Sequence, residues 1–185
     1  MYKIEPIESE NLKLVPYTTN LFDYIFMLHK KNAFSIMDDY DMSSDEQFKH
    51  KMNDFLNTAG FGWICWAKKF SQKVGIIFYS HVSPGFSAIM HPILDKDGYR
   101  KYISLCNGEP RTAIMDEMTI LANRYVMTKF NLVKITGGFF EHNTLAINQC
   151  KRLGFKEDGC LRNEAIQGGK LVNVKLLSLL REELI

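Results

Sequence analysis

The stretch that most constrains the fold of this chain runs from residue 132 to residue 155. Its first part, Leu132–Gly138, is an apolar run ending in two glycines and predicts a buried strand. Asn143 is a typical helix-capping residue, and the less polar positions after it follow a helical spacing. Gly154 is expected to end that helix, and Phe155 to open another strand.

The rest of the chain predicts further strands and helices in a mixed α/β order. The predicted strands cover residues 11–17, 62–67, 73–80, 86–91, 155–166 and 170–180. The predicted helices cover residues 21–31, 45–58, 95–107 and 111–130. Pro92 is expected to close the 86–91 strand. The Gly168-Gly169 pair predicts the tight turn of a hairpin between the last two strands.

Composition narrows the class of protein. The chain has 185 residues, and we expect residues 1–185 to form one domain. A formal net charge of +2 gives no general attraction to nucleic acid, and no apolar run approaches the ~20 residues that a membrane span needs. The four cysteines are scattered without metal-ligand spacing. These features, with an N-terminus unlike a signal peptide, predict a reduced, cytoplasmic protein without a structural metal.

The interior spacing of the 132–155 stretch matches a known signature. Asn143, Ala146, Cys150 and then Gly154-Phe155 resemble the strand–helix–Gly-Phe pattern of the GCN5-related N-acetyltransferases, in particular the branch that acetylates ribosomal-protein N-termini and small amines. The predicted element order is similar to that family's over nearly the whole chain. The resemblance implies the acyl-CoA N-acyltransferase fold, an α/β (α+β) fold with a mixed, mostly antiparallel sheet flanked by helices on both faces.

The resemblance also implies acetyl-CoA as co-substrate. In the family, a backbone N–H of the fourth strand meets the acyl carbonyl; here that donor falls among Ile89, Met90 and His91. Asn143 and Ala146, on the helix of the signature, would lie along the pantetheine arm. Strands four and five are expected to part near Met90 and Thr136 and to leave a cleft, because each is followed by a helix that packs on the sheet.

The loop before the long helix corresponds to the family's pyrophosphate site but is degenerate. Glu109 places a like charge beside the anion, and Pro110 has no N–H to donate. The residues of this chain that would contact the phosphates are Gly108, Arg111, Thr112 and Ala113.

Three side chains are candidates for the chemistry of acyl transfer. Cys150 stands where the family often has a tyrosine that protonates the leaving thiolate; its alternative is a small buried residue that packs helix against sheet. Glu141 and His91 are candidates for the base that takes the amine proton. Their alternatives are a solvated charge beside a helix N-terminus and a structural histidine.

The acceptor is expected to be a primary amine: a small amine, a protein N-terminus or a lysine. Asp38, Asp39 and Asp41 lie where the family's acceptor groove runs, which would favour a cationic amine; the alternative is a solvated acidic loop. The sequence therefore predicts an acetyl-CoA-dependent N-acyltransferase and leaves a homodimer open. The alternative function is a catalytically inactive protein of the same fold with a binding or assembly role, for instance in a phage or bacterial particle.

Overall fold

The computed structural model describes residues 2–17, 22–36, 46–47, 50, 60–106 and 114–184. The strands are β1 Ile7–Glu8, β2 Leu12–Pro16, β3 Phe61–Ala67, β4 Gln72–Ser83, β5 Ser87–Leu94, β6 Lys134–Phe140, β7 Lys156–Gln167 and β8 Lys170–Leu180. The helices are α1 Phe22–Ile36, α2 Lys96–Leu105, α3 Ile114–Lys129 and α4 Thr144–Arg152. The helix predicted over residues 45–58 falls almost wholly outside the described residues.

The eight strands form one sheet in the order β1-β2-β3-β4-β5-β6-β8-β7. Every neighbouring pair is antiparallel except β5 and β6, which run parallel. A parallel pair needs a crossover connection, and here α2 and α3 lie between the two strands in the chain. The sheet is therefore mixed and mostly antiparallel, as predicted.

Helices cover both faces of this sheet, which confirms the predicted fold class. One face packs against α1 through a small cluster that includes Ile25, Leu28 and Ile93. The opposite face packs against α2, α3 and α4 in a much larger core. Because side chains alternate along a strand, each strand supplies residues to both layers. No helix among the described residues is long and apolar enough to span a membrane.

The prediction that Pro92 closes the fourth strand is wrong, because β5 continues to Leu94. The backbone N–H of Asp95 donates to the Val74 carbonyl of β4 at 2.9 Å. By the alternation of an antiparallel ladder, residues 93 and 91 also direct their N–H groups at β4, whereas Pro92 directs its nitrogen away. No ladder hydrogen bond to β4 is lost at Pro92, so the proline is tolerated inside the strand.

The prediction that Gly137-Gly138 ends its strand is also wrong, because β6 extends to Phe140. A Cβ atom on Gly137 would lie 2.8 Å from the ring of Phe139, so the glycine leaves room for that ring. The predicted hairpin turn is confirmed: Gly168 and Gly169 have φ angles of 58° and 71°, as a tight turn between two strands requires.

Candidate active site

The two parallel strands at the centre of the sheet separate after a short paired segment. β5 and β6 pair at only three positions, Ser87 with Lys134, Ala88 with Ile135 and Ile89 with Thr136. Both strands continue beyond these pairs, β5 to Leu94 and β6 to Phe140. The predicted cleft, opening near Met90 and Thr136, is confirmed.

The register decides which backbone atoms face the cleft from β5. Ile89 and His91 direct their N–H and carbonyl groups at β4, so of the three predicted donors only Met90 directs its N–H toward β6. In a parallel ladder, one residue of a pair is hydrogen-bonded by the two neighbours of the other. For the pair Ile89–Thr136, the residues before and after Ile89 bond to Thr136, so the Met90 N–H is already engaged. Beyond the Met90 N–H, the backbone groups of β5 that face the cleft are the carbonyls of Met90 and Pro92.

β6 faces the cleft with the backbone of its even-numbered residues. The Arg181 N–H donates to the Val133 carbonyl, and the Glu141 N–H donates to the Asn173 carbonyl, so odd-numbered residues bond to β8. Gly138 therefore turns its N–H and carbonyl toward β5, beyond the last parallel pair. This opening offers carbonyl acceptors from one strand and an N–H donor from the other.

Helix α1 reaches the β5 edge of the cleft through a buried amide. The Asn32 Nδ2 donates to the Leu28 carbonyl at 2.9 Å and to the Leu94 carbonyl at 3.3 Å. Leu94 is an even-numbered residue of β5, so this carbonyl also points away from β4. Asn32 thus ties α1 to the part of β5 that β6 no longer covers.

The side chain of His91 lies on the α1 face of β5, two residues beyond the last pair with β6. Its ring stacks on Phe78 of β4 with centroids 4.7 Å apart and an interplanar angle of 11°. Its Nε2 lies 2.8 Å from the Ser80 Oγ. Both partners belong to β4, and no strand of the described residues pairs with β5 at His91 on the other side. His91 therefore borders the cleft.

Burial, together with smaller effects of the nearby His29 and His81, lowers the pKa of His91 from its ordinary value to about 4. An uncharged imidazole is therefore the form present at neutral pH. A neutral histidine carries one nitrogen lone pair that can accept a proton. His91 therefore has the protonation state that the predicted base requires, although a pKa lowered this far also makes it a weak proton acceptor.

Helix α4 begins as predicted, with Asn143 as its capping residue. The Asn143 Oδ1 accepts a hydrogen bond from the Ala146 N–H at 3.4 Å. The predicted cofactor contacts of these two residues would start from this cap. Gly154 follows the helix with a φ of 90°, a backbone conformation that glycine adopts readily.

Cys150 faces the large core from α4 and is 3% exposed. Burial raises the pKa of its thiol to about 12, and Asp116 adds to the effect. A thiol that holds its proton this tightly is a weak acid. The geometry favours the alternative of a packing residue over the predicted proton donor.

Glu141 follows β6 and is held by the last two strands. The Asn173 Nδ2 donates to the Glu141 Oε2 at 2.8 Å, and the Asn173 Oδ1 accepts from the Asn163 N–H at 2.9 Å. These contacts fix the carboxylate at the rim of an open pocket of about 350 Å³. The pocket is lined by Glu141, His142, Asn163, Leu171, Val172 and Asn173.

Several predicted site residues lie outside the described residues. They are the pyrophosphate candidates Gly108, Arg111, Thr112 and Ala113 and the acidic residues Asp38, Asp39 and Asp41. Among the residues that are described, the structure brings Ile89, Met90 and His91 to the apex of the cleft. It places Glu141 directly after the C-terminal end of β6 and Cys150 in the core.

Sequence reasoning missed three polar residues around His91 and the cleft. Ser80 and His81 are adjacent in the sequence. The Ser80 hydroxyl is hydrogen-bonded both to His91 and to His81. Asn32 sits within a helix, at a position that faces the sheet. A polar residue at a core-facing position is the only signal that could have marked Ser80 or Asn32 in advance.

Comparisons with solved structures identify this architecture. The chain superimposes on the spermidine N-acetyltransferase of Vibrio cholerae, solved with CoA and spermine, with a TM-score of 0.74 and 17% identity over 95% of this chain and 98% of the other. It matches a ribosomal L7/L12 alpha-N-protein acetyltransferase, solved with coenzyme A, with a TM-score of 0.72 and 16% identity over 95% of this chain and 98% of the other.

Sequence comparisons give no such match. No protein-family model matches this chain, and a search of curated proteins finds no relative. The structural likeness nevertheless spans nearly the full length of both partners. The chain has the acyl-CoA N-acyltransferase fold of the GCN5-related N-acetyltransferases.

Proposed function

We propose that this protein transfers an acetyl group from acetyl-CoA to a primary amine. The observation that carries the proposal is the parallel pair β5–β6, which opens beside a neutral, half-buried histidine. Two solved structures of the same fold are acetyltransferases with CoA bound, and this supports the choice of thioester.

The described residues of the cleft fit the pantetheine arm. That arm is a narrow chain with two amides, and it needs both acceptors and donors along its length. The Met90 and Pro92 carbonyls and the Gly138 N–H supply both kinds of group. Gly138 itself has no side chain, and a Cβ there would lie 3.3 Å from Val174 Cγ1 of β8. Acetyl-CoA, when bound, supplies the activated acyl group.

The protein itself supplies the base that takes a proton from the attacking amine. We assign that role to His91, because its imidazole is uncharged at neutral pH and borders the cleft. Glu141 has a different position, at the rim of the pocket beside the β7–β8 hairpin. A carboxylate there suits the binding of a cationic amine better than proton removal at the cleft apex.

The position of that carboxylate and the structural neighbours support the choice of acceptor class. One neighbour is a spermidine N-acetyltransferase with spermine bound, and another is a ribosomal-protein N-terminal acetyltransferase. Both kinds of acceptor are amines. We propose a cationic amine, with Glu141 attracting its distal positive charge.

Calorimetry with acetyl-CoA, followed by an assay of thiol release with spermidine and with a peptide N-terminus, tests the proposal. We expect acetyl-CoA binding and amine-dependent thiol release, and we expect His91→Gln to bind acetyl-CoA but to lose at least about a hundredfold in turnover. Absence of both binding and release would contradict the enzyme and favour the binding or assembly alternative.

A single substitution tests where the arm lies. Pro92→Ala places a new N–H at the cleft edge of β5, and one neutral hydrogen bond contributes about 0.5–1.5 kcal/mol. We expect acetyl-CoA to bind about threefold to tenfold more tightly. Pro16→Ala is the matched control, because Pro16 lies in β2, far along the sheet from the cleft. Equal affinities in all three proteins would show that this edge does not hold the arm.

A further inference from the structure

A hydrogen-bonded chain of three side chains leads from the cleft to the protein surface. The Ser80 Oγ lies 2.8 Å from the His91 Nε2 and 3.1 Å from the His81 Nδ1. Ser80 is buried, whereas His81 is exposed. One hydroxyl group therefore links a histidine at the cleft with a histidine in contact with water.

The backbone is distorted where this chain reaches the surface. The β4–β5 register shifts between Ser80 and Ser83, and His81 has a φ of 48°. A positive φ is uncommon for a residue other than glycine and persists only where the surroundings hold it. Here the bulge turns the His81 ring back to the hydroxyl of its own neighbour.

The donors and acceptors of these three side chains allow two directions of hydrogen bonding. Each neutral imidazole has one N–H, and the hydroxyl has one proton to donate. In the first direction His91 donates from Nε2 to Ser80, and Ser80 donates to the His81 Nδ1. In the second, His81 donates from Nδ1 to Ser80, and Ser80 donates to the His91 Nε2. The tautomer of each ring follows from the direction.

The first direction is chemically favoured. It places the proton of both rings on Nε2, which is the more stable tautomer of a free neutral histidine side chain. The second direction requires the less stable Nδ1–H tautomer in both rings. With His81 uncharged, the chain therefore runs from His91 through Ser80 to His81, and the His91 Nδ1 keeps its lone pair.

We propose that Ser80 and His81 are positioning residues that hold His91 in the tautomer able to accept a proton at Nδ1. The inference rests on the proposed function, in which His91 takes the amine proton. The amine N–H bond breaks, its electron pair stays on the amine nitrogen, and a new N–H bond forms at Nδ1. The imidazolium that results still donates from Nε2 to Ser80, so no hydrogen bond is lost.

Nitrogen NMR of the imidazole rings tests the tautomers directly. In uniformly ¹⁵N-labelled protein at alkaline pH, we expect His91 to show a protonated Nε2 and a bare Nδ1. Ser80→Ala should give a mixture of tautomers, and Ser80→Thr, which keeps the hydroxyl, should restore the single one. A protonated Nδ1 in the wild type at alkaline pH, or an unchanged tautomer in Ser80→Ala, would overturn the proposal.

His81→Asn is the matched variant for the outer end of the hydrogen-bonded chain. Asparagine tolerates a positive φ and offers an acceptor oxygen in place of the His81 Nδ1. At alkaline pH we expect His91 to keep the Nε2–H tautomer in His81→Asn and to give a mixture of tautomers in His81→Gly, which offers no acceptor. The same spectrum in both variants would show that His81 does not control the tautomer of His91.

Kinetics complete the test. Ser80→Ala should lower kcat about tenfold with little change in the amine KM, and Ser80→Thr should recover most of it; general-base catalysis is typically worth 10²–10⁴-fold in total. The spectra report on the histidine chain whether or not an amine is acetylated. Missing turnover with the expected spectra would therefore contradict the proposed function while supporting the tautomer assignment.

Discussion

The two faces of the sheet are built from the same strands but for different purposes. On the face covered by α3 and α4, aromatic rings pack edge to face: Trp63 lies 5.5 Å from Phe61 and 5.4 Å from Tyr125, centroid to centroid. On the face covered by α1, β4 and β5 present Ser80 and His91. Consecutive residues of β4 thus supply Tyr79 to the apolar layer and Ser80 to the polar chain.

The two faces differ in the hydrogen-bond partners that they give to their polar groups. In the apolar layer, a polar group is satisfied by one fixed partner: the Tyr79 hydroxyl donates to the Asn123 Oδ1 at 2.5 Å. On the α1 face, the Ser80 hydroxyl lies between two rings whose protons can shift. One face holds the fold, and the other keeps groups whose protonation state can change. Three predictions separate these contributions, in order of decreasing size.

The largest effect is expected from the apolar face. Trp63 is fully buried, and its Nε1 donates to the Glu5 carbonyl at 2.8 Å. Trp63→Ala should lower the free energy of unfolding by about 3–5 kcal/mol, because a large cavity forms. Urea denaturation measures the loss, which should be the same at pH 5 and pH 7. A loss below about 1 kcal/mol, or one that varies with pH, would contradict the division between the faces.

The α1 face should instead make stability depend on pH. The folded-state pKa of His91 is lowered to about 4, so as pH falls below about 6.5 the unfolded chain binds its proton first. Stability should therefore decrease between pH 6.5 and pH 4, by at most about 3 kcal/mol. Urea midpoints measured across this range should show a smaller slope for His91→Gln than for the wild type. Equal slopes would mean that the folded protein does not hold His91 in its uncharged form.

The smallest effect is expected where the apolar face is held locally. Asn143→Ala removes the side-chain acceptor of the Ala146 N–H and should cost about 1 kcal/mol of unfolding free energy, independent of pH. Asn143→Ser keeps a capping oxygen and is the control. If both variants lose several kcal/mol, Asn143 does more than cap α4.

Much of the fold could be predicted from the sequence, because it depends on local signals. The Asn143 cap and the Gly168-Gly169 turn each depend on a few adjacent residues, and both were found where predicted. The 170–180 strand was predicted with its observed bounds, since hairpin turns fix the strands beside them. The parting of the parallel strands was also expected, from the helices that must follow each of them.

The errors at strand ends have a common physical cause. Pro92 and Gly137 normally interrupt strands, and nothing nearby in the sequence says otherwise. Whether a proline disrupts a strand depends on which neighbour its nitrogen faces, and that is fixed by the β4–β5 register. Whether a glycine ends a strand depends on which ring approaches it, here that of Phe139.

Apart from the short strand β1, which was not predicted, the sequence by itself determined the types and order of the described elements and the residue kinds available for chemistry. Only the tertiary structure decided which of these residues meet. It joined His91 of β5 to Ser80 and His81 of β4, and it buried Cys150 in the core. The reason is that burial and hydrogen bonding between strands follow from sheet register and layer packing. These are long-range properties that no local pattern encodes.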